Sequence, residues 1–258
     1  MRRAASILTA LAALAGASSA RAADPVPPGE GMIEQPCPVQ DSLWFGSAYV
    51  RQYDWAWLCR FRAENESLAK GAPPLAVFIG DSITEGWIKL DPDFFARRYA
   101  DRGISGQTSP QVLLRFRQDV VGLHPRVVHI MVGTNDVAGN TGPTRAEDWQ
   151  NAMRAMVEQA RANRIKVVVG SLLPAARFPW RPALQPAPQI AALNAWLRGY
   201  AHDEHLVYAD YHTALAAPDG SLKSEYSADG VHPNAAGYAV MRTIAARALA
   251  QADRRLRQ

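Results

Sequence analysis

The stretch Val77–Trp87, "VFIGDSITEGW", runs from an apolar segment through a Gly-Asp-Ser turn into residues at helical spacing. A strand that passes to a helix through so short a turn opens a unit typical of parallel sheets. The serine inside it has an explanation that needs no chemistry. Ser82 followed three residues later by Glu85 has the form of a capping box, so the stretch alone predicts only a helix that starts at Ser82.

Outward from this stretch the same alternation recurs. Apolar runs at 75–80, 127–133, 166–174 and 206–211 are rich in β-branched residues throughout instead of alternating with polar ones, which is the pattern of buried parallel strands. Between them, Trp149, Met153, Met156, Val157 and Ala160 fall on one helical face, with Thr144 and Glu147 as the capping box of that helix. A final helix from about Ala235, capped by Asn234, turns Tyr238, Met241, Ala245 and Ala248 inward. Strand–helix alternation of this kind predicts an α/β protein, a three-layer α/β/α sandwich with a doubly wound parallel sheet, whose ligands gather beyond the carboxyl ends of the strands.

The 258 residues carry no internal repeat and no low-complexity linker across the middle, so residues 71–258 read as one domain with a full-sized core. Ahead of it, residues 23–70 form a lead and a segment dense in aromatics, "SLWFGSAYVRQYDWAWLCRFRAENESLAK" at 42–70, with mixed helical spacing. Trp44, Tyr49, Tyr53, Trp55 and Trp57 offer rings for sugar stacking, but such a stripe is read first as core packing. Residues 1–22 have two early arginines, an apolar stretch from about Ile7 to Ala17 and the small-residue ending Ala20-Arg21-Ala22, the form of a cleavable secretory signal. The apolar stretch is too short for a stable membrane anchor, so export to the periplasm or beyond, without membrane insertion, is expected. Removing this leader takes away three arginines and no acid, leaving 25 basic against 24 acidic residues. The basic ending "DRRLRQ" is then read as a solvated tail, and no nucleic-acid partner is expected. Cys37 and Cys59 are the two cysteines. In an oxidising compartment they can close a loop worth roughly 3 kcal/mol, or remain buried thiols; neither has the strand-to-turn setting of a nucleophile.

The predicted topology gives the opening stretch its chemistry. Ser82 lies just past the end of one strand and Asn135 just past the end of another, so two positions distant in sequence meet at one edge of the sheet. The turn "DGVHPNAAGY" adds Asp229 and His232, three residues apart before the last helix. A serine hydroxyl becomes a nucleophile when a neighbouring base takes its proton and an acceptor fixes that base in one tautomer. Asp229 can meet the Nδ1 side of His232 and leave Nε2 for Ser82. Acyl transfer also needs donors aimed at the developing oxyanion. The side-chain amide of Asn135 in "GTND" and the backbone N–H of Gly106, in the glycine-flanked loop 103–108, are candidates.

Together, "GDS" at 80–82, the glycine within "GISGQTS" at 103–109, "GTND" at 133–136 and "DGVHP" at 229–233 resemble, in order and spacing, the four signature blocks of the GDSL/SGNH serine hydrolases. The resemblance covers about Leu75 to Ala250. It implies a flavodoxin-like fold, Ser82 as nucleophile, Asp229 and His232 as the rest of the triad, and the N–H groups of Ser82, Gly106 and Asn135 as oxyanion donors, with no metal or cofactor. Within the family the blocks look most like exported bacterial esterases of short acyl groups and acetylated carbohydrates, which implies a small-molecule or saccharide ester as substrate. Lysophospholipid or thioester cleavage and a non-catalytic carbohydrate-binding module are the alternatives. Where relatives often read Asn-Arg-Gly-Ile, this chain has Asp101. The other esterase turn, G-x-S-x-G, is not encoded, because its second glycine position is Thr84. "GDS" and "GTND" also faintly resemble blocks of two-metal phosphoesterases, which would make Asp81, Asn135 and His232 metal ligands, but an early Asp-x-His and a late His-x-His are missing. His202, His205 and His212 are read as a solvated helix end before they are read as a metal cluster. The Pro-rich segment 172–189, with Phe178, Trp180, Arg177 and Arg181, lies where a specificity loop would.

Overall fold

In the computed structural model, Cys37 and residues 48–254 are described, apart from the Tyr49 side chain. The chain divides into two compact units, Met1–Cys37 and Pro38–Gln258; the second carries every helix and strand described below. The proposed leader, residues 1–22, lies outside the described residues, as does Trp44. Cys37 and Cys59 are each disulfide-bonded.

In chain order the elements are α1 (Ala48–Tyr53), α2 (Arg62–Ala69), β1 (Ala76–Gly80), α3 (Ser82–Leu90), α4 (Pro92–Phe95), β2 (Tyr99–Gly103) and α5 (Ser109–Asp119). There follow β3 (Val127–Met131), α6 (Thr134–Ala138), α7 (Ala146–Ala162), β4 (Lys166–Gly170), α8 (Ala187–Asp203), β5 (Val207–Ala209), α9 (Tyr211–Leu215) and α10 (Ala235–Ala252). The five strands form one sheet in the order β2-β1-β3-β4-β5, every neighbouring pair parallel. This is the flavodoxin-like order, and its direction reverses between β1 and β3, the place where a doubly wound sheet opens its ligand crevice.

The strands form because their residues are covered on both faces. One face sends Val77, Ile79, Val128 and Ile130 against α5, α7 and α8, where Phe116, Trp149, Met153, Met156 and Leu197 are buried. The other sends Phe78, Val127, Met131 and Val168 against α3, α4, α9 and α10. Phe78 there packs edge-on to Trp87 and Phe94 at 5.5 and 5.6 Å. Each such large apolar side chain contributes on the order of 2–3 kcal/mol when fully buried. The faces foreseen for α7 and α10 are the buried ones. The α7 cap is shifted by one residue, however: Arg145 takes the N-cap position with Asp148 answering it, and Thr144 stands outside the helix.

Sequence reading missed one strand. β2 reads Tyr-Ala-Asp-Arg-Gly and has no apolar run, yet Asp101 and Arg102 are buried. They are accommodated by local hydrogen bonds: Asp101 Oδ1 accepts the Gly103 N–H at 2.7 Å, and Arg102 donates to the Asp101 carbonyl and to Asn65 Oδ1. Charged residues on an edge strand also discourage pairing with another chain. Among the described residues, the aromatic segment is helical in α1 and α2, and its core-packing reading holds in part. Trp57 is buried with Val50, Phe61 and Ile104, whereas Tyr53 and Trp55 are exposed.

Candidate active site

Ser82 is the first residue of α3, directly past β1. The capping box read at Ser82 lies one residue further back: Asp81 is the N-cap, its Oδ1 accepting the Ile83 N–H at 3.0 Å. Glu85 instead accepts the backbone N–H of Ser105 at 2.7 Å and a bond from Lys89. Aspartate caps a helix as well as serine does, so the Ser82 hydroxyl is not needed for the backbone. It lies 2.9 Å from His232 Nε2. Burial pushes the Asp81 carboxyl up to about 7, although the Ile83 hydrogen bond opposes the shift.

His232 and Asp229 sit in the turn before α10. Asp229 Oδ1 accepts the backbone N–H groups of Val231 and His232 at 2.9 and 2.8 Å, and its Oδ2 meets His232 Nδ1 at 2.7 Å. A carboxylate tied to its own turn on one oxygen holds the imidazole with the other, and with Nδ1–H directed at it, Nε2 is left to accept from Ser82. Burial pushes Asp229 up, but the bonds from His232 and Val231 outweigh it and bring the carboxyl down to about 2. One turn into α10 the Tyr238 hydroxyl donates to the Ile83 carbonyl at 2.7 Å. That bond pins the helix following the imidazole to the helix carrying the hydroxyl.

Asn135 is the second residue of α6, past the end of β3, so it approaches Ser82 across the sheet's reversal point. Its Nδ2 donates to the Gln107 carbonyl at 2.9 Å and its Oδ1 accepts from Asn140 Nδ2 at 2.6 Å. Asn140 Oδ1 in turn accepts the indole N–H of Trp180 at 3.0 Å. With its oxygen taken by Asn140, the Asn135 amide turns its nitrogen toward Gln107 and the pocket. Gly106 has φ +77°, a left-handed conformation for which glycine is suited. A β-carbon at Gly103 would stand 2.0 Å from the Glu85 nitrogen, so this loop lies directly on α3.

The loop is clamped from behind. Arg115, fully buried, donates to Gln107 Oε1 at 2.6 Å, to the Gly80 carbonyl at 2.9 Å and to Asp119 at 3.1 Å. Gln107 Nε2 reaches the Ala56 carbonyl at 2.8 Å, which links the loop to the aromatic segment. Asp136 accepts both the N–H and the hydroxyl of Ser109, fixing the start of α5; burial raises its carboxyl to about 6 against those two bonds.

A pocket of about 360 Å³ brings Ser82, Gly106, Asn135 and His232 together, with Ser105, Asn140 and Trp180 completing its lining. Asp229 stands behind His232. A larger hollow of about 560 Å³ along β2, beside Leu68, Ile88 and Tyr99, shares no lining residue with this pocket. Four of the five residues foreseen from sequence therefore line one cavity and the fifth, Asp229, bonds to His232 behind it, whereas Asn140 and Arg115 were not foreseen. Arg115 had a visible signal: it shares the buried stripe of α5 with Val112 and Phe116 and precedes Asp119 by four residues, the pattern of an internal ion pair. Among the described residues, no three or more His, Cys, Asp or Glu gather as metal ligands would. His202 pairs with its neighbour Asp203.

Residues 78–240 match the profile of the GDSL-like lipase/acylhydrolase family. Among solved structures, a Bacteroides fragilis NCTC 9343 protein assigned as an acylhydrolase is 42% identical, with 80% of this chain and 100% of that one covered and a TM-score of 0.75. A GDSL-like lipase from Bacteroides thetaiotaomicron VPI-5482 is likewise 42% identical over 77% of this chain and 99% of its own, with a TM-score of 0.73. An uncharacterized lipoprotein, YqeF of Bacillus subtilis strain 168, is 35% identical over 75 residues, 28% of this chain; the match spans 31% of that protein's length. A parallel sheet in flavodoxin order, a hydroxyl and an imidazole meeting at its crevice, and this family match agree: the chain belongs to the GDSL-like lipase/acylhydrolase family and is a hydrolase of the esterase class.

Proposed function

We propose that the protein is a serine esterase that removes short acyl groups, acetyl foremost, from carbohydrate esters, with Ser82, His232 and Asp229 as its triad. The observation that carries this reading is the continuous chain Ser82 Oγ to His232 Nε2, 2.9 Å, and His232 Nδ1 to Asp229 Oδ2, 2.7 Å. Nε2 takes the hydroxyl proton as Oγ bonds to the acyl carbon, and the carbonyl electron pair moves to oxygen. That oxyanion is met by the N–H groups of Ser82 and Gly106 and by Asn135 Nδ2. Collapse expels the alcohol, which takes the proton from Nε2; water then repeats the sequence on the acyl-enzyme. Every proton and electron pair is placed on protein, substrate or water, so the steps call for no cofactor.

The preference for a short acyl group rests on the lining. The pocket holds only about 360 Å³ and no aliphatic side chain is among its described lining residues, so the methylenes of a long acyl chain, each worth about 0.8 kcal/mol when buried, find no hydrocarbon channel to fill. The same feature disfavours lysophospholipids and long-chain thioesters. A fluorophosphonate probe should label the protein and fail on Ser82→Ala, with esterase activity falling by about a thousandfold or more. Equal labelling of that variant would sink the triad, and better turnover of octanoyl than acetyl esters would sink the short-acyl assignment. Export to the periplasm or beyond also belongs to this reading, on the strength of the Met1–Ala22 pattern and the lipoprotein relative.

A further inference from the structure

Trp180 forms one wall of the pocket. It is 41% exposed, yet both its edge and one face are held: the indole N–H donates to Asn140, and the ring stacks on the fully buried Phe178 at 5.1 Å with 18° between planes. Its centroid lies 6.4 Å from the His232 ring. The indole also lines a second hollow, of about 650 Å³, which continues along Gly139, Gly142, Thr144, Arg181 and Leu184. One rigid aromatic ring thus separates the pocket of the nucleophile from an open groove.

The reaction geometry says which part of the ester passes this ring. The oxyanion turns toward Gly106 and Asn135, and the leaving oxygen must face His232 Nε2 to receive its proton. The alcohol part therefore extends from His232, and Trp180 is the surface next to it. Beyond the ring, the groove sets the Thr144 hydroxyl and the Arg181 guanidinium among apolar side chains such as Val137, Pro143 and Leu184. An alcohol matched to this has one flat apolar face and a hydroxylated rim, which is the form of a pyranose.

We propose that Trp180 and the groove along 139–144 and 181–184 form a subsite for the sugar ring of the leaving alcohol, with the pyranose stacked on the indole. The proposal rests on the esterase reading above and gives it a location for the alcohol. The rigid mounting matters, because a platform already ordered by Phe178 and Asn140 loses little freedom when the sugar arrives.

The test compares a mono-acetylated methyl xylopyranoside with methyl acetate, which has the same acyl group and no ring. The ratio of their kcat/KM values should fall about ten- to hundredfold in Trp180→Ala, mostly through KM, as expected for loss of one aromatic stacking partner. Trp180→Phe keeps a ring while losing the bond to Asn140, and should restore the ratio to within about threefold. An unchanged ratio in Trp180→Ala overturns the subsite. So does a Trp180→Phe variant as impaired as Trp180→Ala, which would assign the effect to the Asn140 bond. Wild-type hydrolysis of methyl acetate but not of the sugar ester also removes the subsite while leaving the esterase standing. Hydrolysis of neither ester by wild type removes both.

Discussion

At the scale of single residues, what distinguishes this site is how many amides hold one another. Asn135 is fixed on both ends, by Gln107 and by Asn140, and a carboxamide released from one partner can turn its oxygen toward the developing negative charge. Asn140→Ala should therefore lower kcat on a short acetate ester about tenfold, less than the ~10²–10³ lost with an oxyanion donor itself. KM should change little, and Asn140→Ser, which can still donate, should recover part of the rate. Steady-state kinetics on the three proteins decides it; a loss confined to KM would place Asn140 in substrate binding instead. This relay was not legible in the sequence, because Asn140 meets Asn135 through the irregular turn after α6 and Trp180 joins them by a tertiary hydrogen bond across 40 positions. Asp229 and His232 were legible for the opposite reason: a three-residue spacing within one turn nearly dictates their contact.

At the scale of elements, β2 is the instructive strand. Burial pushes Asp101 up to about 7, opposed by the Gly103 N–H bond and the Arg102 charge, and its Oδ2 has no hydrogen-bond partner. An acid whose folded value is raised contributes stability that is complete below its unfolded value, about 4, and is lost as pH rises toward 7. Asp101→Asn keeps the acceptor for Gly103 and removes the charge. It should raise the urea midpoint at pH 8 and flatten the decline between about pH 4 and 7; a midpoint at pH 8 equal to or below wild type would contradict the assignment. No hydrophobic pattern could announce this strand, since tertiary packing by α3 and α4 and the Asn65 side chain of α2 bury its polar residues. The other four strands were legible from their β-branched runs, though trimmed at the ends where the chain turns into α6 and the 171–186 loop.

At the scale of the whole molecule, the order β2-β1-β3-β4-β5 is one of the few that strand–helix alternation with right-handed crossovers permits. That order explains why residues as far apart as Ser82 and Asn135 share a pocket. If the leader acts as read, amino-terminal sequencing of the protein recovered from a bacterial periplasm should begin at Ala23; an intact Met1 there would refute the cleavage. A last consequence concerns timing. Ser82 and His232 stand 150 positions apart, so a nascent or unfolded polypeptide possesses the hydroxyl long before it possesses anything to activate it. On the proposed triad, an unfolded chain is inert toward esters, and hydrolysis would begin only once the turn carrying Asp229 and His232 docks beside Ser82, which makes activity a direct readout of completed folding.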